Sequence, residues 1–158
     1  MSVTIREISP LAPEARLLLQ ASQALMRTLF PADENHYLDA EALAVPDVTF
    51  FGAEAEGALL GCVALKRHDG YGELKSLFVA PEARGLGLGQ KLLAHAEARA
   101  EADGLLLIRL ETGNKLFAAS ALYDRCGYRQ RGPFGAYVAN GSSVFFEKPL
   151  PAEGAVPR

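Results

Sequence analysis

Hydrophobic and polar positions along this 158-residue chain change period several times, and the changes mark an alternation of strands and helices. Residues 3–8 alternate apolar and polar side chains as a first strand. A helix begins near Pro13, a residue suited to a first helical turn, and carries Leu18, Ala21, Leu25 and Leu29 on one face until Pro31 ends it. Residues 39–44 form a short helix stopped at Pro46, and residues 48–53 and 58–66 read as a hairpin across the turn 54–57. Residues 73–79 form the next strand. A helix spans 87–103, Gly104 is its stop signal, and the apolar run 105–111 is a further strand. A helix near 118–125, a strand from Tyr128 and a last strand over 143–148 complete the order, and Pro149, Pro151 and Pro157 mark a loose tail.

This order predicts an α/β fold, a mixed sheet with helices on both faces. No linker divides it, so residues 1–150 are expected as one domain and 151–158 as a flexible tail. A hydrophobic fraction of 49% suffices for a continuous core at this length. The net charge is −3 and neither Lys nor Arg forms a run, so neither nucleic acid nor an anionic membrane is expected as partner. Cys62 and Cys126 form no C-x-x-C pair, the first residues lack the apolar core of a signal peptide, and no stretch approaches the roughly 20 apolar residues that span a bilayer. A cytoplasmic protein is expected. His36 and His95, with Asp33 and Glu34, show no metal-ligand spacing, so no metal is expected. His36 and His68 read as loop histidines in solvent.

The run Arg84-Gly85-Leu86-Gly87-Leu88-Gly89 follows a strand and opens a helix. The first turn of a helix carries N–H groups without intrahelical acceptors and the positive end of the macrodipole, so this turn is a candidate phosphate cradle. Its glycines are spaced G-x-G-x-G, not the G-x-G-x-x-G of dinucleotide-binding turns. A Walker loop fails as well, because Gly89-Gln90-Lys91-Leu92 has neither the adjacent Gly-Lys pair nor the magnesium-binding hydroxyl.

Arg84, Gly87 and Gly89 do meet the pattern [Arg/Gln]-x-x-Gly-x-[Gly/Ala], and here the chain resembles the GCN5-related N-acetyltransferases, the GNAT superfamily. Two further segments share the resemblance: residues 72–81, similar to the family's central strand and its exit, and residues 121–128, similar to its late A-x-x-L-Y-x-x-x-G-[FY] motif. Segments 35–39, 65–66 and 133–137 are similar to a subgroup of small bacterial members. The resemblance implies a mostly antiparallel central sheet in which two parallel strands, 73–79 and 105–111, splay apart at one end to admit acetyl-CoA. It implies that Arg84, Gly85, Leu86, Gly87, Leu88 and Gly89 hold the pyrophosphate. The backbone of Leu77, Phe78 and Val79 would pair with the pantetheine, with an N–H of Phe78 or Val79 available to an oxyanion.

Acetyl transfer to an amine needs a neutral amine and a protonated leaving thiolate. The resemblance makes Tyr123 the general acid and Glu73 a general base whose pKa desolvation would raise toward neutrality. Glu111, at the end of the neighbouring parallel strand, is the reserve base or an amine-binding group. The family's asparagine position seven residues before the tyrosine is Leu116 here, and Asn114, two positions earlier, is a cofactor candidate. Phe30, Tyr37, Phe134 and Tyr137 are expected to wall the acceptor pocket. The expected function is acetyl-CoA-dependent N-acetylation of a small amine or amino-acid-like acceptor, without a metal and with a homodimer as a possible assembly. The alternatives are a non-catalytic acyl-CoA sensor, a protein N-acetyltransferase and a nucleotide-binding module unrelated to CoA.

Overall fold

The computed structural model describes residues 2–34 and 38–151. Seven strands form one sheet: β1 (Thr4–Glu7), β2 (Val48–Ala55), β3 (Ala58–Arg67), β4 (Tyr71–Val79), β5 (Leu107–Gly113), β6 (Arg129–Arg131) and β7 (Ser143–Pro149), in the spatial order β1-β2-β3-β4-β5-β7-β6. Neighbours are antiparallel except β4 and β5, which are parallel. Among the described residues four α-helices accompany the sheet: α1 (Pro13–Leu29), α2 (Ala40–Leu43), α3 (Leu88–Ala102) and α4 (Phe117–Arg125). No helix among the described residues is long and apolar enough to cross a membrane.

Local chemistry sets most boundaries. Pro13 occupies the first turn of α1, and Phe30, forced toward extended backbone by the following Pro31, ends it at φ −133 and ψ 149. Asp39 caps α2 by accepting the Ala42 N–H at 2.9 Å. The first hairpin is tighter than its sequence implies, because β2 and β3 run on to Ala55 and Ala58 and leave only Glu56 and Gly57 as the turn. β5 starts at Leu107 rather than Leu105 and reaches Gly113, because its ladder with β7 persists to Gly113↔Ser143. The buried stripe of α1 is Ala15, Leu18, Leu19 and Ser22; Ala21 lies on the exposed side.

Alternation along the strands divides the interior into two layers. Val63, Leu65, Leu74, Ile108 and Leu110 face α3, where Leu92, Leu93, Ala96 and Ala100 pack on them. Phe50, Cys62, Ala64 and Phe78 face α1 with Ala15, Leu18 and Leu19. Helices therefore cover both faces, as the alternating pattern predicts.

Candidate active site

The cleft arises where β4 leaves β5. Their parallel pairing runs only from Tyr71↔Leu107 to Leu74↔Leu110. β5 continues along β7, whereas β4 stays with β3 through a bulge: Cys62 pairs with Phe78 but Ala64 with Lys75, so β4 carries one extra residue between those pairs. Ser76 sits in the bulge at φ +57, a left-handed conformation that costs an ordinary residue on the order of 1–2 kcal/mol. The buried Cys62 thiol donates to the Ser76 carbonyl at 3.3 Å. Burial pushes its pKa up to about 12, so it serves as a protonated donor rather than a nucleophile. The divergence opens a cavity of about 820 Å³. Ser76, Leu77, Phe78 and Val79 form one wall, Thr112, Leu116, Leu122 and Tyr123 the other, and Leu25, Met26 and Leu29 of α1 a third side.

The glycine turn forms one end of this cleft. Gly87 caps α3 at φ +77, and a side chain there would meet nothing within 4 Å, so the requirement for glycine is conformational. Gly89 answers a different need: a Cβ would lie 2.8 Å from Leu122 Cδ2, so its absence lets α3 and α4 close up. The N–H groups of Leu88, Gly89 and Gln90 precede the first intrahelical bond, which Lys91 N–H donates to the Gly87 carbonyl at 3.2 Å. Arg84 donates from Nε to the Val79 carbonyl at 3.3 Å, and its guanidinium lies 5.9 Å from the Phe78 ring centre. Arg84, Gly85, Gly87, Leu88 and Gly89 all line the cavity. Leu86 does not: it is 44% exposed and turned to solvent.

Tyr123 lies inside the cleft on α4, 5% exposed, between the rings of Tyr128 and Phe146 at 5.7 and 5.6 Å. Burial, and then the charge of Glu111, push its pKa above the ordinary phenol value, so the group keeps its proton. Among the described residues its hydroxyl has no hydrogen-bond partner. On a residue that lines the cleft, the hydroxyl is left to bond a molecule bound there.

Glu73 does not behave as a base awaiting substrate. It is 4% exposed and absent from the lining of the cleft. His68 Nε2 lies 2.8 Å from its Oε1, Lys75 Nζ donates to its Oε2 at 3.1 Å, and the Tyr137 hydroxyl donates to the same oxygen. Burial alone would raise its pKa, but the Lys75 charge and the hydrogen bonds from Tyr137, His68 and Lys75 outweigh it and leave the pKa lowered. The expected shift toward neutrality is therefore reversed, because desolvation is met by three partners. Glu111, the reserve candidate, does line the cleft, and its Oε2 accepts from Ser143 Oγ at 2.7 Å.

Other expected positions move too. Asn114 lies outside the cleft: its N–H donates to the Ser142 carbonyl at 2.7 Å and its Nδ2 to the Gly141 carbonyl at 2.8 Å, tying the end of β5 to the loop before β7. Phe30 is buried over Gly113, where a Cβ would come 2.1 Å from its ring, and does not wall the cleft. Phe134 and Tyr137 pack against each other and against Phe145, with ring centres 5.1 to 5.8 Å apart, so aromatic packing has drawn both out of the cleft lining. Tyr37 falls outside the described residues. Lys75 escaped the sequence reading although a signal for it existed: in a strand it shares a face with Glu73, and β4 places both on the α1 side.

The mixed sheet split at its parallel pair, with a helix start at the end of the split, is the arrangement that the resemblance in the sequence implies. Residues 17–128 match the acetyltransferase (GNAT) family, and the chain belongs to that family and is an acetyltransferase. It is 42% identical over 151 residues to an IAA acetyltransferase of Azospirillum brasilense, covering 94% of this chain and 99% of that protein. With the uncharacterized N-acetyltransferase YsnE of Bacillus subtilis it shares 34% identity over 128 residues, 79% of this chain and 85% of the relative. A solved structure from Klebsiella pneumoniae, a candidate acyl-CoA N-acyltransferase, superposes with a TM-score of 0.80 at 37% identity, covering 94% and 97% of the two chains. The PaiA N-acetyltransferase of Thermoplasma acidophilum, solved in complex with coenzyme A, shares the fold at a TM-score of 0.77 and 23% identity, covering 94% and 99%.

Proposed function

We propose that the protein transfers the acetyl group of acetyl-CoA to the primary amine of a small or amino-acid-like acceptor, by direct attack within a ternary complex. The observation that carries this reading is the Tyr123 phenol, buried, protonated and without a partner among the described residues, in a cleft that ends at the start of α3. The residues present fit acetyl-CoA. The first-turn N–H groups of α3 suit the pyrophosphate. The backbone of Leu77, Phe78 and Val79, unpaired with β5 past Leu74↔Leu110, suits the pantetheine and the thioester oxygen.

When bound, acetyl-CoA supplies an activated acyl carbon and a thiolate leaving group. The acceptor nitrogen forms a bond to that carbon as the carbon–sulfur bond breaks, and Tyr123 gives its proton to the departing sulfur. The proton lost by the amine leaves through Glu111 or water and restores the phenol. Glu111 takes precedence over Glu73 because it lines the cleft, whereas Glu73 is sealed behind it. General-acid help of this kind contributes about 10²–10⁴-fold.

Thiol release from acetyl-CoA, followed over a panel of amines, amino acids and IAA, the acceptor in the Azospirillum relative's name, tests the reading. Release that depends on an amine or amino acid supports it, and release with IAA alone, which has no primary amine, contradicts it. Tight CoA binding without release for any acceptor overturns it.

A further inference from the structure

We infer that the acceptor is a zwitterion, an amino acid with an apolar side chain, and that the Lys75 ammonium is the group that holds its carboxylate. The inference rests on the acetyl-transfer reading above. Leu74↔Leu110 is the last β4–β5 pair, so Lys75 and Glu111 are the first residues beyond the fork, one on each diverging strand. Both line the cleft. Both lie on the α1 side of the sheet, since Leu74 and Leu110 face α3.

An ammonium has three N–H donors. Lys75 uses one on Glu73 Oε2 at 3.1 Å and one on the Tyr137 hydroxyl at 2.7 Å; among the described residues the third has no partner. The side chain is only 12% exposed, and Glu73 and Tyr137 hold Nζ in place, so little ordering is left for a ligand to impose. Glu73 is held from its other side by His68. Lys75 is thus a positioned donor at the fork, of the kind that recognises a carboxylate through a charge-assisted hydrogen bond. Glu111 places negative charge across the fork from it, matching the second pole of an amino acid. Leu25, Met26 and Leu29 reach the cleft from the same side of the sheet and offer the side chain an apolar seat.

The test compares leucine, leucinamide and 3-methylbutylamine as acceptors of the wild-type protein, by thiol release and by mass spectrometry of the product. At pH 7.5 an α-amino group beside an uncharged carbonyl, titrating near 7.7–8.0, is roughly 25–40% neutral, whereas that of a free amino acid, beside a carboxylate, is almost wholly protonated, so amine reactivity alone favours leucinamide over leucine. The inference requires the opposite order, with kcat/KM for leucine at least about tenfold above both analogues. Lys75→Met should remove this preference, lowering the ratio of kcat/KM for leucine to that for 3-methylbutylamine about tenfold or more. Equal kcat/KM for the three acceptors on the wild-type protein overturns the inference and leaves acetyl transfer standing, even if Lys75→Met fails to fold. Absence of thiol release for every acceptor, alongside tight CoA binding, overturns acetyl transfer and the inference with it.

Discussion

Replacing Tyr123 by phenylalanine removes the hydroxyl of a residue that is 5% exposed, a hydroxyl with no partner among the described residues. An unsatisfied buried hydroxyl costs about 1–3 kcal/mol, offset in part by whatever water the cleft admits, so its removal should leave the protein equally stable or up to about 1 kcal/mol more stable. For a chain of this size that corresponds to a rise in Tm of about 2–4 °C. Turnover should fall about 10²-fold, equivalent to about 2.7 kcal/mol in the barrier, because the sulfur loses its proton donor. Acetyl-CoA affinity should not change, since the residues proposed to hold the pyrophosphate and pantetheine lie elsewhere in the cleft. Thermal denaturation, calorimetric titration and steady-state thiol release measure the three quantities on one preparation. A stability loss above about 1 kcal/mol would show that the hydroxyl is structural, and unchanged turnover would show that the thiolate is protonated by another group.

Gly87→Asp should weaken acetyl-CoA binding at least about tenfold, because it places negative charge at the start of α3 and strains a position at φ +77; equal affinity by calorimetry would remove the phosphate cradle. Glu73→Gln should destabilise the protein at neutral pH by about 1.5–3 kcal/mol through the weakened contacts to Lys75, His68 and Tyr137. Because the folded pKa of Glu73 lies below its ordinary value of 4.5, that contribution is complete above pH 4.5 and drains as pH falls through the folded value. The gap in urea midpoint between wild type and Glu73→Gln should therefore close in acid, and a gap independent of pH would contradict the ionised network. Asn114→Ala should cost no more than about 1 kcal/mol and leave CoA affinity intact; a weakened affinity would return Asn114 to the cofactor site.

The parts legible in the sequence were those governed by neighbours along the chain. Pro13, Asp39 and the glycines after β4 act within a turn of their own positions, so element order and the helix starts emerge from local chemistry. The parallel strands and their splay came from the family resemblance, and the register from Tyr71↔Leu107 to Leu74↔Leu110 gives them physical form. What stayed hidden depends on long-range convergence. Glu73 meets Tyr137 across 64 positions, and nothing local to either residue announces that the pair will hold the carboxylate ionised. Phe134 and Tyr137 look like pocket aromatics in a loop, yet the neighbouring Phe145 on β7 captures both rings. Ala21 reads as part of the apolar face of α1, yet it lies on the exposed side, and Ser22 is turned inward in the stripe with Leu18 and Leu19.

The most direct test of the central claim is a single reaction with acetyl-CoA deuterated in its acetyl group, in which the acetylated acceptor and the released thiol are both quantified by mass spectrometry. The account predicts deuterated N-acetyl product in one-to-one ratio with free CoA, formed only when acceptor is present. Thiol release without acetylated acceptor, or CoA binding without either product, would contradict it.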